Sequence, residues 1–219
     1  MFRSLRNIYT LLAKDWRSEI RSLQILPPAI VLALAAIVLF YFSKIDFSHS
    51  PTAWAAILWI VSLLALVVIL DRALVTDTRN AVLEALLAAP VTPNQFLFAK
   101  LLFTGSMLMG LQVIVLLSLT QMMNLTISSP MGSIFLTLTL TDLGLIAMGL
   151  LCSLIAQFSR HRGAFLAGFL WPVALPLVLL AMMAIDDPAR SENIWLILAG
   201  FDIVLLGISP GLLKVIAGK

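Results

Sequence analysis

Six long apolar runs decide what this chain can fold into. They lie at about 25–43, 54–70, 96–122, 131–157, 164–185 and 194–217. A helix rises 1.5 Å per residue, so about 20 residues cross the ~30 Å hydrocarbon core of a bilayer. Lipid offers no hydrogen-bond partners, so each run must pair its own backbone and is most simply a helix. Hydrophobic residues make up 61% of the 219 and charged residues 11%. Ordinary soluble domains are about 45–50% apolar and about 25% charged. The expected fold class is therefore all-α integral membrane, with six transmembrane helices. The second run is the shortest and has room to extend past Asp71.

Charge sets the expected orientation. Arg3, Arg6, Lys14, Arg17 and Arg21 precede the first run. Arg72, Arg79 and Lys100 follow the second, Arg160 and Arg162 follow the fourth, and Lys214 and Lys219 close the chain. Only Lys44 and Arg190 fall on the opposite side. By the positive-inside rule both termini are expected in the cytoplasm, in a bacterial inner membrane. The net charge of +3 then reports topology, and basic residues spread along one membrane face do not make a nucleic-acid site. No small-residue cleavage site follows the first run, which reads as a retained anchor. A single cysteine, Cys152, lies inside an apolar run, and His49 and His161 are the only histidines. This excludes a disulfide framework and leaves no metal site to propose.

One membrane domain is expected, led by an interfacial helix. Residues 1–24 form an amphipathic helix, with Leu5, Tyr9, Leu12, Trp16, Ile20 and Leu23 on one face and the five basic residues on the other. That pattern suits a helix lying in the headgroup layer. Pro27 and Pro28 turn the chain into the first span. Residues 25–219 form the six-span domain. Its outer connections, 44–53, 123–130 and 186–193, are too short for a folded domain.

The connection from Asp71 to Lys100 is the long one, and long connections in compact proteins are usually functional. Between Ala73 and Ala89, Val75, Val82, Leu83, Leu86 and Leu87 share one arc, while Asp77, Asn80 and Glu84 share another. A helix lying on the inner membrane surface would bury the first set and present the second to a cytoplasmic partner. Pro90 and Pro93 end it and return the chain to the third span.

This segment resembles the permeases of the ABC-2 class, and more closely the CcmB family of cytochrome c maturation. That family's pattern after its second span is approximately F-x-x-D-x-x-D-G-S-L. Leu74 stands at its Phe, Asp77 and Leu83 match, and Asn80, Ala81 and Val82 depart from it. Glu84, the Leu86-Leu87 pair and Pro90 follow as in the family. The segment Trp171-Pro172-Val173-Ala174-Leu175-Pro176-Leu177 is similar to the family's prolines four apart, and Ser209-Pro210 to its Ser-Pro in the last span. The resemblance implies an ATPase-coupling helix carrying Asp77, Asn80, Leu83 and Glu84. It implies a CcmA-like ATPase as partner, with CcmC-like and CcmD-like membrane subunits. It also implies haem as a handled or transported ligand, with ATP bound on the partner. The chain itself has no G-x-x-x-x-G-K-[ST] phosphate loop, so it is read as a non-catalytic subunit. A second permease half is required, either a copy or a different subunit.

Within the spans, Asp142 and Asp202 are intramembrane carboxylates. Carboxylates there face a protein interior or a wet cavity, as path residues or as interhelical anchors. Pro172 and Pro176 each remove a ladder bond and are expected to kink the fifth span. Gly144, Gly149, Gly163 and Gly168 are expected to permit close helix approach. His49, Met122 and Met123 lie on the outer side, where haem ligation competes with the plainer readings of a loop and a Met-rich span end. Two rival functions stand beside haem handling: an ABC-2 permease exporting a lipid, glycan or drug, and a secondary transporter. The latter needs paired intramembrane charges and internal repeats, which the sequence lacks.

Overall fold

A computed structural model of the chain describes residues 2–43, 53–79, 92–123, 130–156, 162–187 and 190–216. Among these residues all regular structure is helical. The helices are α1 Phe2–Ser22, α2 Leu26–Phe42, α3 Ala53–Arg79, α4 Pro93–Met123, α5 Met131–Ala156, α6 Arg162–Asp186 and α7 Ser191–Ile216. Five contain a window long and apolar enough to cross a membrane: 53–72, 94–122, 131–153, 163–186 and 191–209. With only 17 residues, α2 passes that test only together with α1, as a pair bent by 69°.

The helix ends follow local chemistry. The first turn of α2 holds Pro27 and Pro28, whose missing donors cost nothing there. At the start of α4, Thr92 and Gln95 form a capping box: Gln95 N donates to Thr92 Oγ1 at 3.4 Å, and Thr92 N donates to Gln95 Oε1 at 3.2 Å. The prolines at 172 and 176 lie inside α6, which remains one helix from Arg162 to Asp186.

The second run extends past Asp71, as its short length left room for, and it runs straight into the segment expected to form a separate amphipathic helix. No break occurs at Asp71: α3 continues for two further turns to Arg79. Nothing between Ala53 and Arg79 is a proline or glycine, so the helix has no reason to stop where its apolar character does. Asp77 therefore sits on an extension of the span helix, and the amphipathic arc expected from Ala73 onward begins within α3. Asn80, Leu83 and Glu84 lie outside the described residues.

In the bundle α5 is central, touching α3, α4, α6 and α7, while α1 rests on α4 and α2 on α3 and α4. Two glycines of α5 set the approach of its neighbours. A methyl group at Gly144 would lie 2.6 Å from both Asp202 Oδ1 on α7 and Leu177 Cδ2 on α6, and one at Gly149 would overlap Leu70 of α3. Gly163 and Gly168, expected to act in the same way, have no neighbour within 4 Å. They fall on the exposed side of α6, so they bring no helices together.

Candidate functional site

Two polar constellations interrupt this apolar bundle. The first joins α1, α2 and α4. Along α1 three stripes run side by side. Leu5, Tyr9, Ile20 and Leu23 are exposed, and so are Arg6, Arg17 and Arg21 on the basic arc. The third stripe faces the protein and carries Asp15 and Glu19, 7% and 4% exposed. At 100° per residue it is rotated by roughly 75° from the apolar stripe. Leu12 and Trp16, at its edge, pack against the core.

Each buried acid has a defined partner. Lys100 Nζ on α4 lies 2.8 Å from Asp15 Oδ2, and Lys100 is itself only 3% exposed. Its ammonium sits 5.8 Å from the ring centroids of both Phe96 and Phe103, in reach of a cation–π attraction. Trp16 meets Phe103 edge to face at 5.8 Å. Glu19 Oε1 accepts from the backbone N–H of Ile25 and of Leu26, each at 2.8 Å, supplying the cap that Ile25 lacks. Asn7 Nδ2 adds a 3.3 Å bond to Gln95 Oε1 of the α4 capping box. Leu23 closes the joint with φ +48°, its N–H bonded to Glu19 O at 2.7 Å. A left-handed non-glycine residue costs about 1–2 kcal/mol, so the surrounding bonds hold the elbow in place. None of Asp15, Glu19 and Gln95 was a candidate from sequence, and Lys100 figured only in the charge count. The available signal was Lys100 itself, a lone cation within an apolar run that needs a carboxylate from elsewhere.

The second constellation lies within the spans. Asp142 is at the middle of α5 and 3% exposed. Its Oδ1 accepts from Gln112 Nε2 of α4 at 2.8 Å. Among the described residues its Oδ2 and Gln112 Oε1 have no partner, and the hydroxyls of Thr104 and Thr141 are likewise unpaired. Asp202 of α7, also 3% exposed, packs on the opposite side of α5 over Gly144, with neither oxygen bonded among the described residues. Insertion scales put a carboxylate at mid-membrane at about 2.5–3.5 kcal/mol. The two acids thus flank one helix without meeting each other. Nearer the Met131 end, Trp195 Nε1 of α7 donates to Thr137 Oγ1 of α5 at 2.9 Å.

Among the described residues no group of three or more His, Cys, Asp or Glu could hold a metal ion. His49 and His161 lie outside the described residues, Met122 is half-buried against the core, and Met123 ends α4. Cys152 is buried.

A family model described as CcmB protein matches residues 6–213. The chain belongs to the CcmB family. No curated protein matches it. As a CcmB-family chain it is the membrane permease subunit of a haem-exporting ABC transporter of cytochrome c maturation. The family works in the Ccm system with the CcmA ATPase and CcmC, as a multi-pass inner-membrane protein. The match runs from within α1 to the last turn of α7, so the elbow and both internal acids fall inside it.

Proposed function

We propose that this CcmB-family chain converts closure of a separate CcmA-like ATPase dimer into movement of its own helices, as one of two membrane halves. CcmC-like and CcmD-like subunits complete the assembly, both termini lie in the cytoplasm, and the stripe Asp77, Asn80, Leu83 and Glu84 docks the ATPase. The observation that carries this reading is the buried joint at Lys100. A push on the α3–α4 connection reaches the start of α4, and Lys100 lies two turns further on. There the ion pair to Asp15 and the Glu19 cap tie α4 to α1 and α2, so force at one connection moves three helices. The extension of α3 to Arg79 supports the same reading, since it carries Asp77 beyond the apolar window that ends at Arg72. Pro172 and Pro176 give α6 two missing ladder bonds at which to bend during the cycle.

The test is a charge reversal on the docking stripe. Glu84→Lys is expected to lower co-purification of the ATPase, or its stimulation by the membrane subunit, by about tenfold, equivalent to ~1.4 kcal/mol. Unchanged binding together with unchanged stimulation would remove the stripe from the mechanism.

A further inference from the structure

Between α4 and α5 runs a lateral groove of about 290 Å³, with Asp142 in its wall. Gly105, Ser106 and Thr139 keep it open, and Leu102 and Met109 form part of its rim. Asp142 is buried by its own neighbours, yet one carboxylate oxygen has no donor among the described residues. The nearby polar side chains do not supply one. Gln112 already gives its amide N–H to the other oxygen. Ser106 donates to Phe103 O, and Thr139 to Phe135 O and Leu136 O. The hydroxyls of Thr104 and Thr141 bond to nothing among the described residues, this oxygen included, so the site is short of a donor as packed, and it opens sideways from the bundle.

We propose that this groove seats a transmembrane helix of a different membrane protein, which brings a hydroxyl, amide or cationic donor to the free oxygen of Asp142. Depth and chemistry select that occupant. Asp142 lies eleven residues from the Met131 end of α5, roughly 16 Å along the helix, beyond the reach of lipid headgroups. Acyl chains reach that depth but donate nothing. A second copy of this chain is a poor fit. Between their end turns, the exposed faces of α2, α6 and α7 carry only apolar side chains such as Leu34, Leu179 and Ile203. Ser106 is the one exposed polar side chain in the middle of any spanning helix among the described residues, and its hydroxyl is already used. Small residues at the groove let a foreign helix approach closely, and an interhelical hydrogen bond then fixes its register.

This inference rests on the chain working in a multi-subunit membrane assembly, which co-purification of an ATPase with the unaltered chain tests separately. The experiment places a benzophenone amino acid at Leu102 on the groove rim, and at Ile203 on α7 as control, in the full assembly in native membranes. The expected product at Leu102 is a cross-link to one co-purifying subunit. Peptide mass spectrometry should map it to a spanning helix with a polar or cationic residue within one turn of the attachment point. Ile203 should give no such product. Ser106→Trp fills the groove from an exposed position and should cut recovery of that subunit at least tenfold while the chain still elutes as a folded species. Asp142→Leu should do the same, and Asp142→Asn, which keeps an acceptor, should stay within about threefold of the unaltered protein. Cross-links to lipid alone, to a second copy, or equally from Ile203 each overturn the proposal. So does full recovery of the subunit with Ser106→Trp.

Discussion

At the scale of single residues, the chain concentrates its polar risk in a few side chains. Lys100 and Asp15 are both buried and pair at 2.8 Å, and Asp15 also meets the more exposed Lys14 at 3.3 Å. Removing one member of a buried pair costs up to about 3–5 kcal/mol where the other charge is left bare, and Lys14 offsets part of that for Asp15, whereas replacing both by apolar groups is often neutral or better. Lys100→Met alone should therefore lower the thermal unfolding midpoint in detergent sharply, and adding Asp15→Leu should recover most of the loss. An unchanged midpoint for the single variant would mean that the two charges are not buried together. The pair was not legible in advance, because an ion pair joining residues so distant in sequence leaves no local trace. Asp142 and Asp202 were legible, since a carboxylate inside a 20-residue apolar run stands out against any background. Their surroundings were not: which helix each acid faces depends on packing, and Gly144 brings Asp202 against α5 on the side away from Asp142.

At the scale of elements, hydrophobic length located the helices well. The runs expected at 131–157, 164–185 and 194–217 correspond to α5, α6 and α7 within a few residues. In α3 apolar character ends at the membrane edge but helical geometry does not, so the amphipathic segment from Ala73 begins as a continuation of the span and not as a separate helix. The helix continues because only proline, glycine or a competing cap would stop it. Likewise α1 was read as two-faced and has three faces, since its protein-facing stripe is made of acids that hydropathy counts as solvent-facing. The Glu19 carboxylate is the hinge pin between α1 and α2. Glu19→Ala should leave the Ile25 and Leu26 amides without their acceptor, at about 0.5–2 kcal/mol, as for a lost helix cap. Spin labels at Tyr9 and Leu34 should then report a broadened interhelical distance distribution. An unchanged, narrow distribution would show that Glu19 does not set the 69° bend.

At the scale of the whole molecule, the fold presents an almost uniformly apolar outer surface around a core with a few internal polar bonds, as a bundle dissolved in lipid requires. Basic residues predict which end lies inside. A membrane-impermeant thiol reagent should label a cysteine placed at Ser4 or Gly218 only after the inner membrane of spheroplasts is opened. Labelling of intact spheroplasts at either position would reverse the assigned topology. The six-run pattern made the class of the molecule readable, and missing ATP motifs made a driven subunit the economical reading. The joint that would carry the drive needed coordinates, because it is built from residues near both ends of the stretch from Asn7 to Lys100.

That separation has a consequence for synthesis. Asn7 and Gln95, which tie α1 to the start of α4, are 88 residues apart. At a ribosomal rate of about 5–20 residues per second, α1 waits roughly 4–18 seconds for its seat to be made. During that interval Asp15 has no Lys100 to meet, although Glu19 already has the Ile25 and Leu26 amides, so the nascent helix must rest on the membrane surface by its exposed leucines and arginines. When Lys100 follows within the third span, it enters the bilayer as a costly cation whose counter-charge is already waiting at the interface. Early α1 then acts as a nursery for a later span, and a truncation that removes it should be felt first as poor insertion of Lys100.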